Sequence, residues 1–247
     1  FGIHMKVAAL IKQVPDTTAK IILNGGVLDE ASIKWSMSPY DEYALEAALS
    51  HAEAHGGEVI AITFGPERAE KMLKDAAAVG AKRLFRVWDD GADTFDALGV
   101  ATALAEVAKA EGAEMIFAGK ASADLNMSTT GPGVAAALDW PCISFVSEYD
   151  NDSAVRVGPS GKERVTVPTN CVITCDKGLP DLRRANVKGI MMAKKATIEV
   201  ITPPTSTPKT QRGNLSSPPE KAPGRTFEGA GSMGEVVQLL RNDAKVI

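Results

Sequence analysis

The sequence is short of the residues that usually announce a chemistry. Aromatics make up 5% of its 247 residues, too few for the stacking platforms that single-stranded nucleic acid requires. The net charge is -4, so no basic surface for nucleic acid is expected. Three cysteines cannot all pair and fit no zinc spacing, which predicts reduced thiols in a cytosolic setting. Cys171 and Cys175 share one face of a predicted strand, and the apolar filling of "CVITC" makes them core. No apolar run approaches the ~20 residues that cross a bilayer, so a soluble intracellular protein without membrane insertion is expected.

Histidine is also scarce. One of the three lies in "FGIHM", where residues 1–4 read as a cloning scar and Met5 as the native start. His51 and His55 sit four apart near the end of a helical pattern, without a carboxylate-rich partner. They read as solvated side chains, and no metal site is expected. There is no G-x-x-x-x-G-K-[ST], no G-x-G-x-x-G after the first apolar run and no G-x-S-x-G elbow. Paired acid/base candidates are missing too, so no catalytic residue is assigned.

Alternation is what the chain has in quantity. "KVAALIK" (Lys6–Lys12), "EVIAITFG" (Glu58–Gly65), "RLFRVW" (Arg83–Trp88) and "AEMIFAG" (Ala113–Gly119) read as strands. Between them lie the helical patterns "PYDEYALEAALSHAEAHG", "PERAEKMLKDAAAVGA" and "TFDALGVATALAEVAKAEGA", and "PGVAAALDW" follows. The first shows Tyr43, Ala44, Ala47 and Ala48 at helical spacing and a Gly56-Gly57 stop. Strands alternating with helices predict an α/β fold with a doubly wound, mostly parallel sheet. From Cys142 to Asp176, turn signals at Asn151-Asp152 and Gly158–Gly161 predict an antiparallel ribbon added to that sheet. "IMMAKKATIEVI" reads as a return to strand. Residues 5–201 thus form one α/β domain. Residues 202–247 form a Pro-rich extended arm with a short amphipathic helix carrying Val236, Val237, Leu239 and Leu240, suited to a partner subunit.

In a doubly wound sheet, ligands sit beyond the carboxyl ends of the strands. Three loops reach that place: "KQVPDT", "FGPER" and "GKASADLNMSTTGPG" (Gly119–Gly133). In the third, Asn126, Ser128, Thr129 and Thr130 precede a helix whose first amides lack intrahelical partners. That combination suits a phosphate. Plain capping is the competing explanation, because these are the usual cap residues. One helix start, however, does not need four of them.

Five ordered motifs carry a family resemblance. "KQVPDT", "MSPYDEYALEAAL", "ITFGPERAEKMLKDAAAVGAKR", "GKASADLNMSTTGP" with "LDWP", and "RRANVKGIMMAKKATIEV" occur in order at matching intervals. Together they resemble the beta (small) subunit of electron transfer flavoproteins, from Met5 to about Val200 and more loosely along the arm. The resemblance implies an adenine nucleotide alpha-hydrolase-like fold and a heterodimer with an alpha subunit. FAD would be shared with that subunit, and AMP would have a structural role. It also implies an electron carrier for flavin dehydrogenases, not an enzyme in its own right, in the cytoplasm or, in a eukaryote, the mitochondrial matrix.

The nucleotide site so implied comprises Leu10; Ser38, Pro39, Tyr40 and Asp41; Phe64; then Gly119, Lys120, Ala121, Ser122, Ala123, Asp124, Leu125, Asn126, Met127, Ser128, Thr129 and Thr130. The implied dehydrogenase-docking loop comprises Leu182, Arg183, Arg184, Ala185, Asn186, Val187, Lys188, Gly189, Ile190 and Met191. Val187 stands where the family has an anchoring leucine, and Arg183, Arg184 and Lys188 would steer approach.

This chain departs from the family at Ser128-Thr129-Thr130, where many members carry Asn-Gln-Thr. Hydroxyls there reach less far than amides. Electron-bifurcating relatives hold a second FAD in place of AMP, and "SPYDEYALE" leans towards them. "MSTTGP", "RVWDD" and "LDWP" lean towards the AMP-binding group. A stand-alone adenine nucleotide-binding enzyme is the reading from another class. It would need a Ser-Gly-Gly-type loop where "KQVPDT" stands.

Overall fold

A computed structural model describes residues 5–211 and 213–247; the expected scar at residues 1–4 lies outside them. The elements, in chain order, are β1 (Lys6–Leu10), β2 (Gln13–Pro15), a small hairpin β3 (Leu23–Asn24) and β4 (Val27–Leu28), β5 (Trp35–Met37), α1 (Pro39–His55), β6 (Glu58–Phe64), α2 (Glu70–Val79), β7 (Arg83–Val87), α3 (Ala97–Ala110) and β8 (Met115–Gly119). Then come α4 (Thr130–Leu138), β9 (Cys142–Tyr149), β10 (Ser153–Gly158), β11 (Gly161–Thr166), β12 (Cys171–Cys175), α5 (Val187–Lys195), β13 (Ile198–Ile201) and α6 (Met233–Asn242).

One nine-stranded sheet has the order β11-β10-β9-β12-β8-β1-β6-β7-β13. Every neighbouring pair from β9 to β13 is parallel. The expected ribbon is confined to β9-β10-β11, paired antiparallel, with its turns where Asn151-Asp152 and Gly158–Gly161 stand. β12, expected in the ribbon, instead lies inside the sheet, parallel to both β9 and β8. The α/β doubly wound fold is therefore the one expected. After β1 the chain winds outward through β6 and β7, then returns to lay β8 on the other side of β1. The topological switch point lies between β1 and β8, the place where such sheets accept ligands.

Strand residues alternate between two cores because successive side chains point to opposite faces. Val7 and Ala9 of β1 pack with Leu45 of α1 and Leu73 of α2, whereas Ala8 and Leu10 pack with Leu104 of α3 and Val134 of α4. Cys171 and Cys175 fall together in the first core, fully buried and unpaired. The first helix stops at Gly56 in the left-handed conformation, as the Gly-Gly signal predicts.

Two expectations need correction. "IMMAKK" is helical in α5, and strand resumes only at Ile198. His51 is buried rather than solvated. Tyr149, ninety-eight residues away, brings its hydroxyl within 2.6 Å of His51 Nδ1, and Phe117 closes over the ring at 5.8 Å. His55 remains exposed.

Among the described residues, no helix or strand lies between Ile201 and the 3-10 turn at Ala230. The start of that stretch is tied down. Asp96, the N-cap of α3, accepts hydrogen bonds from the amides of Lys209 at 2.6 Å and Thr210 at 3.2 Å.

Candidate functional site

The switch point is held by one buried carboxylate. Ser38 and Pro39 start α1, with proline at the first helical position, which needs no amide donor. This brings Asp41 between two strand ends. Its Oδ2 accepts from the Lys12 amide at 2.7 Å, just beyond β1. Its Oδ1 accepts from the Gly119 amide at 3.0 Å, at the end of β8. A Cβ on Gly119 would collide with that carboxylate oxygen and with the Tyr40–Asp41 backbone, so only glycine lets strand and helix meet here. Burial pushes the Asp41 carboxyl up to about 7, against the two amide bonds and the Lys12 charge.

The loop after β8 is stitched down at its near end. Lys12 Nζ forms an ion pair with Asp124 Oδ2 at 2.7 Å and reaches Ser122 Oγ at 3.4 Å. Burial alone would raise the Asp124 carboxyl, but the bonds from Lys12 and Ser122 outweigh it and hold it below its ordinary value. Ser38 Oγ accepts from the Ala123 amide at 3.3 Å. Lys120 pairs with Asp176 Oδ1 at 2.8 Å, and its ammonium lies 4.7 Å from the centre of the Tyr40 ring. The bond to Asp176 raises the Lys120 pKa.

The far end of the loop is different. Asn126 and Ser128 adopt left-handed backbone, with φ of 51° and 55°, a conformation costly for serine. Thr129 is the N-cap of α4 but makes no side-chain cap bond. The side chains of Asn126, Ser128, Thr129 and Thr130 accept or donate no hydrogen bond among the described residues. The capping explanation therefore fails for this helix. Gly131 and Gly133 seat α4 closely: a Cβ on either would meet Thr174 of β12 or Ala101 of α3. Its N-terminal amides and four polar side chains thus stand together at the carboxyl edge of the sheet, where an anionic group would be stabilised.

The structure brings Ser38 to Asp41 against the start of the Gly119–Thr130 loop; Leu10 ends β1 beside Ala118 and is buried in the second core. Phe64 stands apart: it ends the neighbouring strand β6 and stacks on Trp88 at 5.7 Å and Phe95 at 5.3 Å. Leu125 and Met127 expose apolar side chains at the loop tip. Sequence reasoning missed Lys12 and Asp176. Their signal was weak: Lys12 opens the "KQVPDT" loop but carries no motif, and Asp176 simply follows a strand.

The second predicted segment splits into a fixed part and a presented part. Arg183 is not free to steer a partner. Its guanidinium pairs with Glu46 at 2.8 Å and also with Glu53, and its amide donates to Glu46 at 2.9 Å. Those bonds hold the Glu46 carboxyl below its ordinary value although burial acts to raise it. Asn186 caps α5 by accepting from the Gly189 amide at 2.8 Å. Val187 then opens the helix with 75% of its surface exposed, and Ile190 and Met191 are exposed beside it. Arg184 and Lys188 are also exposed.

Comparison with known proteins agrees with this arrangement. The profile of the electron transfer flavoprotein domain matches residues 25–206. The electron transfer flavoprotein subunit beta of Bacillus subtilis is 31% identical over 98% of this chain and all of its own length. The subunit of the same name from Methylophilus methylotrophus is 32% identical over 80% of this chain and 79% of its own length. The mitochondrial one of Arabidopsis thaliana is 32% identical over 98% of this chain and its full length. The nine-stranded sheet, the full-length matches and the domain profile lead to one conclusion: the chain belongs to the family of electron transfer flavoprotein beta subunits.

Proposed function

We propose that this chain is the beta half of a heterodimer that carries electrons from flavin dehydrogenases to a downstream acceptor, with no catalytic residues of its own. Residues 5–201 act as the nucleotide-binding domain, and residues 202–247 as an arm that packs on the alpha subunit. Family membership supports the carrier role. No helix among the described residues is long and apolar enough to cross a membrane, and we assign the complex to the cytoplasm.

The observation that carries the nucleotide reading is the uncapped start of α4. The side chains of Asn126, Ser128, Thr129 and Thr130 are hydrogen-bonding groups without partners among the described residues, beside helix amides that favour an anion. This donor set fits a phosphate. Asn126 to Thr130 would hold the phosphate of AMP, and Ser38, Asp41 and Lys12 fix the loop around it. The redox chemistry comes from FAD, which when bound accepts and releases electrons one or two at a time. This chain's contribution to FAD is to complete the alpha subunit's site.

Copurification with the alpha subunit followed by chromatography of released nucleotides tests the reading. One FAD and one AMP per heterodimer are expected. Two FAD and no AMP would make the cradle a redox site, as in bifurcating complexes. No complex, with ATP turnover by the chain alone, would overturn the carrier reading.

Docking of the dehydrogenase is assigned to the α5 face around Val187. Val187→Ala removes part of an exposed anchor and is expected to slow electron transfer from the dehydrogenase while leaving AMP content unchanged. Unchanged transfer kinetics would sink that assignment.

A further inference from the structure

Helix α5 meets the body of the protein through its smallest residues. A Cβ on Gly189 would run into the Ala78 carbonyl of α2, and Ala193 is buried. These two lie four residues apart, hence on one face. Met191 stands midway between them in sequence and so on the opposite side of the helix. It is 62% exposed, and Met192 beside it is 61% exposed. Val187, one turn before Met191, extends the same apolar stripe, and exposed Lys188, Lys194 and Lys195 border it. Thus two thioethers stand exposed on the face assigned to docking, with Lys188 and Lys195 between them. Methionine suits such a face because it is flexible and polarizable, but its sulfur is also oxidisable.

We propose that Met191 and Met192 form a peroxide-sensitive modification site whose oxidation weakens docking of the dehydrogenase on α5. The inference rests on the docking role given to that face above. The oxidant is hydrogen peroxide. A sulfur lone pair attacks one peroxide oxygen, a sulfur–oxygen bond forms and the oxygen–oxygen bond breaks. Sulfur loses two electrons, and the departing hydroxide takes the proton of the hydroxyl transferred to sulfur, leaving the sulfoxide and water. The product sulfoxide places a polar oxygen where the partner would need an apolar contact. Methionine sulfoxide reductases reverse the change, so the site can act as a switch.

The other methionines supply internal controls. Met72 and Met115 are buried, whereas Met127 is exposed in the loop after β8, outside α5, and Met233 is exposed in the free chain but lies in the arm assigned to the alpha subunit. The heterodimer would be treated with graded hydrogen peroxide, mapped by peptide mass spectrometry, and assayed for reduction by its flavin dehydrogenase. Oxygen gain at Met191 and Met192 is expected to track a rise of about tenfold in the KM for the carrier, with kcat unchanged. The double variant Met191→Leu, Met192→Leu should lose the peroxide response: whatever its KM before treatment, that KM should not rise when peroxide is added. Oxidation confined to Met127 and Met233, or a KM that still rises in the double variant, would overturn the proposal. Val187→Asp in untreated protein separates the two layers. If it raises KM while sulfoxide at Met191 and Met192 does not, only the switch fails; if neither raises it, the docking assignment has failed.

Discussion

Helices α3 and α4 lie side by side against the same sheet face, yet they begin in opposite ways. Asp96 starts α3 by accepting from the Gly99 amide at 2.9 Å, and also accepts from the amides of Lys209 and Thr210. Every strong acceptor position there is used within the chain. At α4 four cap-type residues stand at the helix start, Thr130 being its first residue, and none of their side chains bonds to it among the described residues. Two of them occupy left-handed backbone, which loosens rather than secures the helix start. The difference teaches that polar residues at a helix N-terminus are structural where they bond to the chain. They become candidates for a ligand where the chain leaves them unused at some conformational cost.

The largest effect should come from removing the carboxylate on which both loops depend. Asp41→Ala leaves the half-buried Lys12 and Gly119 amides without their acceptor and an emptied space where the buried carboxylate stood, and is expected to cost roughly 3 kcal/mol in urea denaturation. It should also release the nucleotide, since the strand ends would no longer be tied. A loss comparable to an ordinary surface substitution would mean that water replaces Asp41 and that the switch point is not fixed by it. The same group sets a pH dependence. Its folded pKa, about 7, lies above the ordinary value of 3.8, so the folded state holds the proton more tightly than the unfolded chain. Its contribution is fully present below 3.8 and fades as pH rises to about 7. Asp41→Asn should flatten that part of the stability curve; an unchanged slope would assign it to another group.

A smaller effect is expected at the capped helix. Asp96→Ala removes the cap of α3 and both anchors of the arm at Lys209 and Thr210. The denaturation midpoint should fall, and proteolysis between Thr205 and Gln211 should accelerate more than proteolysis elsewhere. Equal acceleration throughout the chain would mean that Asp96 serves the helix alone.

How much of this was legible in the sequence follows from how local each signal is. β1, β6, β7 and β8, α1 with its Gly56 stop and the ribbon turns depend on near neighbours and were readable, whereas the short strands β2 to β5 were not, and α5 read as strand. The cradle's place was readable as well, because strand, polar loop and helix follow one another without a break. Its internal bonding was not. Asp41 meets Gly119 across seventy-eight residues and Lys12 meets Ser122 across one hundred and ten, pairings that no window of sequence contains. His51 was misread for the same reason: its helix position suggests solvent, and only the distant Tyr149 and Phe117 bury it. Arg183 looked like a steering charge because its acceptors, Glu46 and Glu53, lie on a helix far earlier in the chain.

The smallest stability effect is also the sharpest test of the comparison between α3 and α4. Loss of a functioning threonine cap costs about 1 kcal/mol. Thr129 makes no cap bond, so Thr129→Ala in the nucleotide-free chain should change stability by less than about 0.5 kcal/mol. Ser128 sits in left-handed backbone, and Ser128→Gly should stabilise the free chain slightly, because glycine adopts that conformation without strain. The heterodimer should respond otherwise. If these side chains serve a phosphate, the same two substitutions must lower the AMP retained per complex, with protein stability nearly unchanged in its absence. A cap-sized loss in the free chain with AMP fully retained would reverse the assignment and make α4 a second α3.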